Sequence, residues 1–111
     1  MMQRSVSHSR RFTSRVRTLE GVWVDWRCAG GEDFARVRNL SLGGLFVETP
    51  TSRSAGSTVK LEFLVQEGQI RADAVVQRTE PGGGLAMKFT AVSDEDRPRL
   101  EALISRHRSL S

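Results

Sequence analysis

The sequence predicts a mainly β fold, a six-stranded antiparallel Greek-key barrel with a flexible N-terminal arm and one C-terminal α-helix. Three observations predict it. Six short segments alternate apolar and polar residues, which is the pattern of half-buried strands. Turn-forming residues separate these segments, and the last segment changes to a helical period. The length of 111 residues corresponds to one domain.

The elements follow in order along the chain. Residues 1–18 are rich in Arg and Ser and hold few apolar side chains, which predicts a flexible arm. Residues 19–111 are predicted to form the single barrel domain. The strands are predicted at 22–27, 34–40, 45–49, 59–63, 70–76 and 85–89. Turns or loops are predicted at 30–33, 50–57, 67–68 and 81–84 because Gly, Pro, Ser and acidic residues gather there.

The C-terminal segment carries the signals of an amphipathic helix. Its predicted buried face consists of Leu100, Leu103, Ile104 and His107. Ser93 followed by Asp96 resembles a capping box, and Pro98 fits only the first turn of a helix. The regular helix is therefore expected to begin near Asp96. In the first strand Trp23 and Trp26 point to opposite faces, so one is expected in the core and the other on the barrel surface.

The charge of the chain is concentrated at its two ends. The formal net charge is +4, and 15 of the 17 basic residues are Arg. Residues 1–19 contain five Arg and no acidic residue, whereas residues 20–104 carry ten basic and thirteen acidic residues. A mildly acidic body with a cationic arm argues against a protein that coats a nucleic-acid backbone. Arg in place of Lys favours forked recognition of phosphate and stacking on flat rings.

Composition also limits the compartment and the chemistry. No apolar run approaches the roughly 20 residues that span a bilayer, and no secretory signal is recognisable. The lone Cys28 excludes an intramolecular disulfide and predicts a reducing, cytoplasmic setting. His8, His107 and Cys28 lack metal-ligand spacing, so no metal site is expected. Ser41 lacks a nucleophile-elbow context and no His lies in the predicted barrel, so an enzyme is not expected.

The first candidate binding segment is the arginine cluster of Arg10, Arg11 and Arg15. Three guanidinium groups within six residues repel one another unless an anion lies between them. Each bidentate contact of an Arg with a phosphate contributes roughly 1.5–3 kcal/mol, so two or three could hold a compact dianion. The same residues could also form a solvated basic tail or a nucleic-acid arm.

The second candidate segment connects two predicted strands and contains Asn39, Ser41, Gly43 and Gly44. An Asn side chain offers a donor and an acceptor to the edge of a base. The Ser hydroxyl can bind a ligand atom or a backbone group. Gly43 and Gly44 allow positive φ and a close approach of backbone N–H groups to a ligand. An ordinary Asx- or Ser-type turn is the alternative interpretation.

Together the two segments resemble the motifs of the PilZ domain family. Arg11-Phe-Thr-Ser-Arg15 is similar to its Arg-x-x-x-Arg motif, and Asn39-Leu-Ser-Leu-Gly-Gly44 to its (Asp/Asn)-x-Ser-x-x-Gly motif. Their order and strand context also match. The stretches 44–49 and 84–89 look like later strands of that family, so the resemblance covers roughly residues 10–107.

The resemblance implies a non-catalytic receptor for the bacterial second messenger cyclic di-GMP. Arg11 and Arg15 would hold its phosphates and stack on guanine, while Asn39, Ser41 and Gly44 would contact a guanine from the barrel. Arg10 would favour an intercalated ligand dimer. The arm is expected to order over the barrel on binding, and a downstream protein effector is expected as partner.

Two alternatives remain open in the sequence. One is a PilZ-like interaction module that does not bind nucleotide, and the other is a small β-barrel that binds nucleic acid. No DNA partner is expected, because the body is acidic and aromatic residues make up only 6 % of the chain. The downstream output stays open, and Arg17, Arg106 and Arg108 have no role in the predicted ligand site.

Overall fold

The computed structural model describes residues 16–17, 21–29 and 31–110, of which 16–17 and 109–110 are described by their backbone alone. Within these described residues, seven strands precede one helix. The strands are β1 (Val16–Arg17), β2 (Trp23–Cys28), β3 (Gly31–Leu40), β4 (Gly44–Glu48), β5 (Thr58–Val65), β6 (Gly68–Thr79) and β7 (Leu85–Val92). The helix is α1 (Arg97–Leu110). The arm residues 1–15 lie outside the described residues.

Six of the strands close into an antiparallel barrel, as predicted. The sheet order is β3-β2-β5-β6-β7-β4, and the pairing of β4 with β3 closes it. β2, β3 and β4 follow one another as neighbours, and the connection from β4 returns β5 to the free side of β2. This order is that of a Greek key. β1 is an addition to the prediction: it pairs with the end of β3 beyond the start of β2.

The core consists of the inward-facing residues that the strand alternation predicts. Buried and more exposed side chains alternate along β2, β5 and β6, and the largest buried ones are Trp26 and Phe63 at 1 % and 0 % exposure. Trp23, on the other face of β2, is 50 % exposed. The expectation of one core and one surface tryptophan is therefore confirmed, since successive side chains of a strand point to opposite faces.

The helix α1 seals one end of the barrel. Its buried residues Leu100, Leu103 and Ile104 belong to the same apolar core as the strands. Ser93 Oγ accepts a hydrogen bond from the backbone N–H of Asp96 at 3.1 Å, so the predicted cap is present. The Asp96 carboxylate accepts a second bond, at 3.1 Å, from the backbone N–H of Arg71 at the start of β6. Helix and barrel are thus joined where β5 turns into β6.

The turn predicted at 30–33 is wrong for Gly31, Glu32 and Asp33, which are part of β3. Cys28 pairs with Gly31 and Arg27 with Glu32, so the β2–β3 connection has only two residues. Such a two-residue hairpin matches the twist of the flanking strands. The pairing can continue through these polar residues because their side chains stay exposed to solvent at this end of β3.

Candidate functional site

The turn between β3 and β4 is held by the Ser41 side chain. Its Oγ accepts hydrogen bonds from the backbone N–H groups of Gly43 and Gly44, at 3.1 and 3.2 Å. The same hydroxyl donates to the Gly44 carbonyl at 3.3 Å. Ser41 is 3 % exposed, and these three bonds use the full capacity of a hydroxyl group. In this structure Ser41 therefore shapes the turn.

Glycine is needed at position 44 for space. A Cβ atom there would lie 2.2 Å from the backbone carbonyl oxygen of Met87 on β7, which is far inside van der Waals contact. At Gly43 the nearest atom would be Ser41 Oγ at 3.8 Å, an ordinary contact. Neither residue adopts the positive φ that glycine allows; among the described residues, the glycines with positive φ are Gly56, Gly68, Gly83 and Gly84. The close backbone approach, in contrast, is present at Gly44.

A β-bulge on β3 turns Asn39 outward. Val37 pairs with Val47 of β4 and Asn39 with the adjacent Phe46, so Arg38 is an extra residue on β3. Val37 and Leu40 are buried, while the two residues between them are exposed or half-buried. A bulge re-aims side chains and is frequent next to functional sites. Here it presents two consecutive polar side chains, Arg38 and Asn39, at the entrance to the turn.

The short strand β1, which follows the N-terminal arm, pairs with β3 at this same position. In β1, Val16 pairs with Leu40 and Arg17 pairs with Asn39. The predicted site residues Arg10, Arg11 and Arg15 lie outside the described residues. Of the predicted residues that are described, the structure brings Asn39, Ser41, Gly43 and Gly44 together in one turn at the end of β3.

Three charged residues on β3 and β4, the strands that flank the turn, were not predicted. Glu48 on β4 lies 3.4 Å from the guanidinium of Arg36 and 3.3 Å from that of Arg38, both on β3. The Arg38 guanidinium also lies 5.8 Å from the centroid of the Phe46 ring. The register between β3 and β4 creates these contacts. The alternation of the sequence marks Arg36 as outward-facing, but it cannot identify the opposite residue on β4.

Arg106, which had no predicted role, seals the junction of helix and barrel. Its guanidinium donates two hydrogen bonds to the Glu67 carboxylate in the β5–β6 turn, one of them 3.1 Å long. The Glu67 side chain is only 10 % exposed. The hydrogen bond from Arg106 lowers the pKa of Glu67 below its ordinary value, against the opposing effect of burial.

Around the turn the described residues present the Asn39 amide and the Arg38 guanidinium, which together suit a polar, anionic ligand. Within that part of the chain, no group of three or more His, Cys, Asp or Glu residues is arranged to hold a metal ion. The helix found there is also too short and polar to cross a membrane.

Comparison with known proteins points to one family. The family model described as PilZ domain matches residues 9–106. The fold is similar to the PilZ domain of YcgR from Escherichia coli, solved with c-di-GMP, with a TM-score of 0.72 and 19 % identity over 91 % of this chain and 93 % of that chain. No curated protein matches the chain.

Two longer proteins are also similar. Bacillus subtilis inhibitor of motility (MotI/DgrA) gives a TM-score of 0.70 at 25 % identity, over 87 % of this chain and 50 % of that chain. The complex of MrkH from K. pneumonia with c-di-GMP gives 0.65 at 18 % identity, over 83 % of this chain and 48 % of that chain. This chain therefore spans about half the length of these two structures.

Proposed function

We propose that this chain, which belongs to the PilZ domain family, binds cyclic di-GMP and acts as a non-catalytic signalling receptor. The pairing of Arg17 with Asn39 in β1 and β3 carries the proposal. Arg15 is the second residue before Arg17 in the chain, so this pairing supports one shared site for the two motifs.

The chemistry of the ligand suits the residue types. Cyclic di-GMP has two phosphates and two flat purines, so it requires cations that also stack. Arg11 and Arg15 provide both interactions. The amide of Asn39, which is half-buried at the bulge, can donate to and accept from a guanine edge. Arg10 adds a third guanidinium, which supports the binding of two stacked ligand molecules.

The turn residues have different roles in this proposal. Asn39 contacts the ligand, and the exposed Gly43 leaves room for the ligand to approach the backbone. Ser41 and Gly44 are positioning residues, because the hydroxyl of Ser41 is fully used within the turn and Gly44 lies against β7. They set the direction in which β3 presents Asn39.

The receptor passes its signal to a partner protein. We infer that residues 1–15 order over the turn when the dianion neutralises their Arg side chains, which changes the surface that a partner meets. The partner is a downstream effector protein. The cytoplasm is the proposed compartment, supported by the single cysteine of the chain, Cys28.

Isothermal titration of the full chain with cyclic di-GMP tests the proposal. Saturable binding is expected, and Arg11→Ala or Arg15→Ala should weaken it by about 10- to 100-fold, the loss of one bidentate phosphate contact. Arg97→Ala is the matched control, because it removes the same charge from an exposed position at the start of α1. Arg10→Ala should lower the number of cyclic di-GMP molecules bound per chain from two to one.

The same experiment separates the alternatives. A nucleic-acid binder would lose its nucleotide signal on addition of DNA and would bind single strands with a steep salt dependence. A PilZ-like module that has lost its ligand would give no heat at any nucleotide concentration, and that result would reject the proposal. Equal effects of Arg15→Ala and Arg97→Ala would show that only general charge is recognised.

A further inference from the structure

The largest exposed apolar side chains of the described residues lie on three neighbouring strands. Trp23 on β2, Phe34 on β3 and Leu64 on β5 are 50 %, 56 % and 58 % exposed. β2 lies between β3 and β5 in the barrel, so the three side chains share its outer face. Exposed apolar groups that occur together, including two aromatic rings, mark interaction surfaces more often than single ones do.

Two carboxylates lie among these apolar groups. In the strand register Asp25 is paired with Phe34 on one side and with Glu62 on the other. Like charges directly opposite each other on neighbouring strands destabilise a sheet. On its other side Glu62 is paired with Arg71 of β6, and its carboxylate accepts a hydrogen bond from Gln69. A further cation beside Asp25 would offset the repulsion that remains.

The surroundings of Asp25 leave part of its carboxylate unpaired. The side chain is 12 % exposed, and its Oδ1 atom is buried without a hydrogen-bond partner. Its Oδ2 atom lies 4.0 Å from Arg27, but that guanidinium is also 3.7 Å from Glu32. Because a partly desolvated carboxylate attracts cations more strongly than a solvated one, Asp25 gives this surface a negative centre.

The surface borders a concave region. An open groove of about 680 Å³ begins at Asp25 and Glu62 and continues over β5 and β6 towards Arg99 of α1, and both acidic and basic side chains line it. A partner peptide with one side chain at the two carboxylates can therefore place its next residues along the groove. We call the group of Trp23, Asp25, Phe34, Glu62 and Leu64 the Trp23 surface.

We propose that the Trp23 surface docks a protein segment that presents one Arg or Lys side chain flanked by apolar residues. The basic group would lie against Asp25 and Glu62 and over the ring faces of Trp23 and Phe34, where cation–π attraction adds to the ion pair. The apolar neighbours of the basic residue would cover Leu64 and the edges of the two rings.

Charge complementarity favours this occupant over two others. A second copy of the chain in a symmetric dimer would bring the same carboxylates together, because such an interface uses the same surface twice. A nucleic acid would place phosphates against Asp25 and Glu62. Both arrangements add like charges, whereas a basic apolar segment removes the existing repulsion.

The test uses the full chain without nucleotide, so it is independent of cyclic di-GMP binding. Random heptapeptides displayed on phage are selected on the immobilised chain, and the enriched sequences should contain one Arg or Lys between apolar residues. A synthetic peptide of that sequence should bind at least about tenfold more weakly when its basic residue is replaced by Gln. The variants Asp25→Asn and Phe34→Thr should each weaken it by a similar factor, and Asp94→Asn, at an exposed acidic position before α1, should not.

Three outcomes would overturn the proposal. The first is a selection that enriches no peptide or only peptides without a basic residue. The second is a peptide whose affinity is the same for Phe34→Thr, Asp25→Asn and the unchanged chain. The third is a dimer in sedimentation experiments that Phe34→Thr dissociates, because it would show that a second copy occupies the surface. Phe34→Thr keeps the test valid if Asp25→Asn does not fold, since Phe34 is largely exposed.

Discussion

The sealed end of the barrel and the Trp23 surface use their side chains in opposite ways. At the sealed end, formed by the β3–β4 turn, α1 and the β5–β6 turn, the protein itself satisfies the Ser41 hydroxyl and the Glu67 carboxylate. On the Trp23 surface two aromatic rings are half exposed, and one oxygen of Asp25 has no partner. In the first region the side chains fix the turn that presents Asn39 to the proposed ligand, whereas on the second the exposed rings are open to contact with another molecule.

The sharpest test of this difference is a pair of glycine substitutions in one turn. Gly44→Ala should destabilise the chain by about 3 kcal/mol, because its Cβ would lie 2.2 Å from the Met87 carbonyl and β4 and β7 would have to separate. Gly43→Ala should change stability by no more than about 0.5 kcal/mol, since its Cβ meets only Ser41 Oγ at 3.8 Å. Urea unfolding measures both.

Equal stabilities of the two glycine variants would contradict the rigid turn. They would mean that β4 can move away from β7 at small cost, and that the direction of Asn39 is not set by the turn.

The barrel could be predicted from the sequence because its evidence is local. The alternation in β5 and β6 places Val59, Leu61 and Ile70 inward, and all three are buried. The helix was predicted by its period and by Ser93, whose hydroxyl caps it. The turn from Asn39 to Gly44 was found as a motif, although the reason for glycine at 44 is space on β7 and not a positive φ.

The features that could not be predicted depend on pairs of residues far apart in the chain. β1 has only two residues, and nothing within them shows that they pair with Asn39 and Leu40. The contacts of Glu48 with Arg36 and of Glu67 with Arg106 depend on register and on the position of α1. The Trp23 surface also requires the strand order, because Phe34 and Leu64 are 30 residues apart in the chain.

The second prediction compares an enclosed ion pair with an exposed one. Glu67→Gln should lower the free energy of unfolding at pH 7 by about 1 kcal/mol, because Arg106 loses a charged acceptor in a nearly buried position. Asp73→Asn breaks the pair of Lys60 and Asp73, whose side chains are 78 % and 53 % exposed, and should cost less than about 0.5 kcal/mol.

The pH dependence of the Glu67 pair gives a second measurement. Since the pKa of Glu67 is lowered in the folded chain, the ionised carboxylate stabilises the fold above its ordinary pKa of about 4.5. That contribution is lost as the pH falls through the lowered value. The difference between the unchanged chain and Glu67→Gln in denaturant unfolding should therefore shrink below about pH 4.5. A difference that stays constant down to pH 2 would show that the ion pair is not its cause.

The smallest effect is expected on the Trp23 surface. Phe34→Thr should change the free energy of unfolding by about 0.5 kcal/mol or less, because the ring is 56 % exposed and Thr is itself favourable in a strand. The same substitution at Phe63, which is 0 % exposed in β5, should cost at least about 3 kcal/mol. Thermal and urea unfolding compare the two variants directly.

If Phe34→Thr were as damaging as Phe63→Thr, the ring at 34 would have a role in folding, and its exposure would no longer support a docking surface. A near-neutral Phe34→Thr would show that the fold does not depend on this ring, so that the variant can report on partner binding alone.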